Sequence, residues 1–164
     1  MYEVGQLVVY GTHGVCQIVD LEEKQVDKRL IPYFMLEPVE HPGTKYYMPS
    51  QNEAALSKIR PLMDEAQIRQ VLSECVAAEW IPVDNRRRNR YRELLSGVQV
   101  TEVLSMLRAV YAHRRGQMET GKKLHQCDDQ FMTDAHKIFI GEIMQVMQIS
   151  RPEALELLRS YLDT

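Results

Sequence analysis

Thirteen residues, Trp80 to Arg92 (WIPVDNRRRNRYR), hold the only tryptophan of the chain and five arginines against one acid, Asp84. Arg86, Arg87, Arg88, Arg90 and Arg92 crowd into seven positions. Guanidinium groups at that density repel one another unless they spread into water or meet a polyanion, and a nucleic-acid backbone is the polyanion they fit best. A solvated helix face accounts for the same run, and this stretch alone leaves both readings open. Trp80 is equally two-sided. Its ring could wedge into a base step whose stacking is already weakened, or it could pack between two elements ahead of Pro82.

A second positive group follows. Arg114 and Arg115 close one helical pattern, with His113 beside them, and Thr120, Lys122 and Lys123 stand at the expected start of the next. Cations at a helix start add to the positive end of its dipole, where free amides bind phosphate oxygens. Two helix starts and one loop are thus expected to form one phosphate-tracking surface of about four to six contacts, giving a salt slope of log K of roughly -4 to -5. No recognition-helix code is visible, so DNA contact without strong sequence preference is expected.

Other chemistry finds less support. His125, Asp129, Met132 and His136 share one helical stripe, but at a rise of ~1.5 Å per residue its ends lie roughly 16 Å apart, too far for one ion. His13 in GTHG reads as a turn residue, and Cys16, Cys75 and Cys127 have no histidine at a catalytic spacing. There is no phosphate-binding glycine loop and no nucleophile elbow. The expectation is a protein without catalysis, cofactor or metal.

The 164 residues carry 45% hydrophobic side chains, ordinary for a folded protein. The net charge of -3 conceals segregation: residues 79 to 124 have 10 basic and 5 acidic side chains, whereas residues 125 to 164 have 3 and 7. A polyanion contact is therefore local, and the acidic flanks face something else. Three widely spaced cysteines and no signal-like apolar start predict a reduced, cytoplasmic protein, and no apolar run reaches the ~18 to 20 residues of a membrane span.

The elements that must position these residues fall into two groups. QLVVY (6–10), the GTHG turn, VCQIVDLE (15–22), IPYFMLEP (31–38) and TKYYMP (44–49) predict a small, bent antiparallel sheet over residues 1–62, of the size of a Tudor- or SH3-like β barrel. In the second of these strands, alternation sets Val15, Gln17, Val19 and Leu21 on one face and Cys16, Ile18, Asp20 and Glu22 on the other. EEKQVDK is a loop or hairpin tip. Residues 63–164 then predict a bundle of about five helices: Met63–Ala78, one capped by Asp84, about Gln99–Arg115, a long one capped by Thr120, and a last one capped by Ser150. The fold class is α+β, with a β-barrel domain at 1–62 and a helical DNA-binding domain at 63–164.

The opening VGQLVVYGTHGVCQIVDLE with YFML, YYMP and IRP resembles the N-terminal module of the CarD/CdnL family of bacterial transcription regulators, which is similar to the RNA-polymerase-interaction domain of transcription-repair coupling factors. RYRELLSG, LRAVY and GKKL followed by Asp128, Ala135 and Gly141-Glu142 resemble the family's helical domain. The resemblance implies a barrel that docks on the RNA polymerase β subunit by a strand edge, and a helical domain that holds promoter DNA at the upstream edge of the melted bubble. It places Lys24 and Tyr47 at polymerase contacts, and Arg88, His113 and Lys123 at DNA contacts. Tyr47 stands where some members have arginine. A gap-free match puts Val83, not Trp80, at the position of the family's wedge; either a small gap restores Trp80, or the wedge is absent. The function so implied is open-complex stabilisation by a non-enzymatic regulator in the bacterial nucleoid. The alternative is a protein-interaction adaptor with no DNA contact. Oligomeric state is left open.

Overall fold

The computed structural model describes residues 1–164, beginning with β1 (Leu7–Tyr10), a tight turn over Gly11–His13, and β2 (Val15–Val26). Next come β3 (Arg29–Pro38), β4 (Tyr46–Pro49), the one-turn helix α1 (Glu53–Leu56) and β5 (Ile59–Pro61). The five strands form one antiparallel sheet in the order β4-β3-β2-β1-β5. The sheet is open and does not close into the expected barrel, because the two edge strands β4 and β5 do not pair. The connection between them is α1, a helix that residues 51–58 did not suggest. Its Ala55 and Leu56 pack on the inner apolar cluster of Val8, Cys16, Ile18, Phe34, Leu36, Met48 and Ile59.

The alternation expected in β2 breaks at Val19. The β2–β3 register pairs Ile18 with Leu36 and then Asp20 with Met35, so one residue of β2 bulges out. A bulge carries the strand across one pleat. Leu21 opposite Phe34 therefore continues the face of Ile18, and Asp20 and Glu22 turn to the other side. The EEKQVDK stretch is strand almost to its tip, where Asp27 and Lys28 both take positive φ as a two-residue hairpin turn requires.

β1 is buried on both faces. Val8 belongs to the inner cluster of the sheet, whereas Val9, like Val15 across from it, enters the helical core. The unbroken run LVVY is what such a strand needs. The turn joining β1 to β2 lies on the long helix that follows: Gly14 has φ 75°, and a Cβ there would sit 3.5 Å from the Lys137 carbonyl oxygen.

Five helices form the rest: α2 (Glu65–Ser73), α3 (Asp84–Leu95), α4 (Val100–Glu119), α5 (Gln126–Met147) and α6 (Arg151–Leu162). Asp64 with Gln67, and Ser150 with Glu153, are capping boxes that start α2 and α6. α2 is shorter than its apolar spacing suggests. Beyond Ser73 the chain is strapped along α4 instead: the Ala78 amide donates to the Ser105 carbonyl and Arg108 to that of Cys75. Cys75 and Ala78 thus pack on α4 without helical backbone. α4 runs on through Gly116 to Glu119, and its stop is Gly121 (φ 73°), the left-handed residue that closes helices. Thr120 is therefore the C-cap of α4 and not the N-cap of α5, whose cap is His125.

The α5 stripe of Phe131, Ala135, Ile138 and Ile143 faces inward, together with Leu104, Leu107 and Val110 of α4 and Ala154, Leu158 and Leu162 of α6. Val9 and Val15 join the same cluster, so one face of the sheet packs into the helical core while the other keeps its own apolar cluster. No helix is long and apolar enough to cross a membrane.

Candidate nucleic-acid interface

α3 carries the arginine run, and its geometry sorts the five side chains. Val83 is the N-cap and offers no side-chain hydrogen bond, so Asp84, expected as the cap, is the first helical residue. Its carboxylate accepts from Arg87 Nη2 at 2.9 Å and lies 3.6 Å from His125 Nε2. Arg87 is the exception among the arginines. It is 2% exposed, and both Nε and Nη2 donate to the fully buried Asp128, at 2.6 and 2.9 Å. Nη1 donates to the Ile81 carbonyl at 3.0 Å. Its charge is spent inside the protein, which removes it from the expected phosphate-facing set.

Asp128 is the centre of this network. Burial alone would raise its pKa, but hydrogen bonds from Arg87 and from Tyr91, whose hydroxyl donates at 2.5 Å, hold it below the usual value. The same arrangement, after burial, raises the Tyr91 hydroxyl, and the Arg87 guanidinium is raised by its acid partners against its own burial. The guanidinium carbon of Arg87 stands 4.6 Å over the Trp80 ring, which also stacks on His113 at 3.8 Å with 13° between planes. Trp80 is half-buried against the helical core. Val83, three residues on, is 52% exposed. Burial lowers the His113 pKa, with Asp128 opposing and Arg87 adding to the shift.

The remaining cations stand outward. Arg86 is exposed and has no carboxylate within ion-pair distance, and Arg88 only donates to its neighbour Asn85. Arg90 is half-buried and paired with Glu93. Lys122 and Lys123 are exposed and unpaired, in the α4–α5 loop and not at a helix start. That loop ends at His125, whose ring lies 3.6 Å from the Asp84 carboxylate at the start of α3. Arg114 is half-buried, and Arg115 is tied to Asp163. Arg88 and Arg92 also line an open groove of about 660 Å³ between α3 and α5.

His125, Cys127 and Asp128 place ligand atoms within 4.8 Å of one another. Each is already engaged: His125 Nδ1 accepts the Cys127 amide as the α5 cap, and Asp128 is held by Arg87 and Tyr91. The Arg87 guanidinium, 3.8 Å from the Cys127 sulfur, puts a positive charge where a cation would sit. Burial and Asp128 raise the Cys127 thiol, which keeps it protonated.

The role of Asp128 went unassigned in the sequence, although a signal existed. Residues 128, 131, 135, 138 and 142 repeat at alternating steps of three and four, so two acids fall on the buried stripe of α5. Charges on a core stripe are retained only when paired, and their partners are Arg87 and Arg60.

On the sheet, Lys24 and Tyr47 come together across three strands. Lys24 Nζ lies 3.3 Å from the Tyr47 ring centroid and 5.9 Å from that of Tyr33, a cation–π cluster on the outer face. Tyr47 is on the edge strand β4 and 41% exposed.

The sheet thus leaves β4 as an edge strand, with the Lys24–Tyr47 contact beside it. Residues 2–62 match the model of the CarD-like/TRCF RID domain, a match that ends one residue beyond β5, and the N-terminal part of the chain is a domain of that family. No curated protein matches the chain.

Proposed function

We propose that the protein is a transcription regulator that binds RNA polymerase through its sheet and promoter DNA through the α3 end of its helical half. The match of residues 2–62 to the CarD-like/TRCF RID domain carries the polymerase part, since this family is a polymerase-interaction domain. β4 supplies the free edge, and Lys24 and Tyr47 supply side-chain contacts beside it. The DNA part is supported by four exposed cations without acid partners, Arg86, Arg88, Lys122 and Lys123, the last two in the loop that ends at His125 near Asp84. Their contribution is sequence-independent charge neutralisation.

Two apolar groups border this surface, the half-buried Trp80 and the exposed Val83. In this reading they meet the edge of the melted bubble, where unstacking costs least. Bound to both partners at once, the protein holds the open complex. The adaptor alternative keeps one observation in its favour, that Arg87 is structural.

The experiment is a co-purification of the intact protein with RNA polymerase, followed by DNA binding of the R86A/R88A/K123A variant. Retained polymerase binding with lost DNA affinity supports the regulator. No DNA affinity in the unaltered protein supports the adaptor.

A further inference from the structure

Trp80 is held by residues from three separate elements. It lies in the extended segment between α2 and α3, where backbone hydrogen bonds alone do not orient a side chain. One ring contact comes from α4, the parallel stack with His113, and another from α3, the guanidinium of Arg87. That guanidinium is fixed in turn by α5: Asp128, fully buried, takes Nε and Nη2 in a two-point fork. Arg87 Nη1 closes the arrangement on the Ile81 carbonyl, the residue after Trp80, so one side chain fixes both the indole and its backbone. A planar guanidinium held at both ends cannot rotate off an aromatic face without giving up a charged hydrogen bond.

We infer that Asp128 is the positioning residue of Trp80, acting through Arg87, so that the indole is presented as a rigid ring beside the Arg86–Lys123 surface and not as a mobile side chain. A rigid ring engages a weakened base step without the ordering cost of a free one. The role of the ring in DNA contact rests on the function proposed above; its positioning by Asp128 does not.

The chain's single tryptophan makes the positioning readable by fluorescence in the full-length protein. D128N and R87K are compared with the unaltered protein for tryptophan emission and acrylamide quenching, and for open-complex half-life with RNA polymerase; far-UV circular dichroism establishes that each variant is folded. The inference predicts red-shifted emission and stronger quenching in both variants, with a half-life shortened roughly two- to tenfold, the size of one aromatic contact. H113F, which keeps a ring on the indole, is predicted to retain the original quenching, whereas H113A raises it. If D128N does not fold, R87K with the His113 pair carries the test. Quenching unchanged in folded R87K and H113A overturns the inference. Stronger quenching with an unchanged half-life in R87K, and equally in W80A, supports the positioning and overturns the DNA role of the ring.

Discussion

Arg60 of β5 and Glu142 of α5 form a two-point ion pair, 2.8 and 2.7 Å long, across the junction of sheet and helices. Glu142 is fully buried, and its Oε2 also accepts the Met63 amide at 2.8 Å, at the point where the chain leaves the sheet for α2. One carboxylate thus fixes the last strand, the linker and the long helix. Glu40 and Arg151, 2.6 Å apart, repeat the connection at the surface. On the function proposed above, position passes from the sheet to the helices only if this junction is stiff.

Removing the buried carboxylate should be costly. E142Q leaves Arg60 without its counter-charge in a largely buried site, and a loss of about 3–5 kcal/mol is expected for breaking such a pair. Urea denaturation measures it. E40Q, at the exposed bridge, should change stability by less than about 1 kcal/mol.

The arginines of α3 should separate into two classes. R87A is predicted to destabilise the fold by about 3–5 kcal/mol, because Asp128 is left buried and unpaired. R86A should stay within about 0.5 kcal/mol of the unaltered protein. For DNA affinity the folded R86A/R88A variant should reduce the salt slope by about 2, at ~0.9 per phosphate contact. Denaturation and salt-dependent fluorescence anisotropy check both halves.

Acid should weaken the fold before the carboxylates titrate. Burial, with the charges of Arg159 and Arg114, lowers the His136 pKa to about 4, and the ring nitrogen hydrogen bonds to the Tyr111 hydroxyl. The folded state therefore favours the neutral ring. Its contribution is complete above the unfolded value of ~6.5 and is lost as pH falls toward the folded value. Asp128, whose folded pKa is depressed, contributes above its own unfolded value and loses that contribution only at lower pH, as pH falls through the folded value. Urea midpoints at neutral and mildly acidic pH should differ in the unaltered protein, and H136Q should flatten that difference.

Much of the fold was legible because burial leaves a period in the sequence. The capping residue Ser150 marked α6 and the apolar spacing after Met63 marked α2, whereas the capping box of Asp64 with Gln67 that starts α2 was not read. The bulge at Val19 was hidden, since a shift of one residue shows only in the pairing partner. The extent of α4 was misread because Gly116 looks like a stop, whereas Gly121 has the left-handed backbone that makes one. Arg87 was indistinguishable from its neighbours in a run of arginines. Only the acid on the opposite helix, forty-one residues away, decides that it turns inward.

The sheet surface can be probed without disturbing the core. K24E and Y47A break an exposed cation–π contact worth about 0.5–1 kcal/mol, so the fold should survive. Binding to the polymerase β subunit, measured by biolayer interferometry with the full-length protein, should weaken in both variants while DNA affinity stays unchanged.

The central claim, that one chain holds polymerase and promoter DNA together, is tested most directly by the lifetime of the open promoter complex with and without the intact protein, read by footprinting after challenge with competitor DNA. The account predicts a longer-lived melted bubble and new protection at its upstream edge, both lost in R86A/R88A/K123A. An unchanged lifetime and an unchanged footprint, with the protein bound to polymerase, would contradict it.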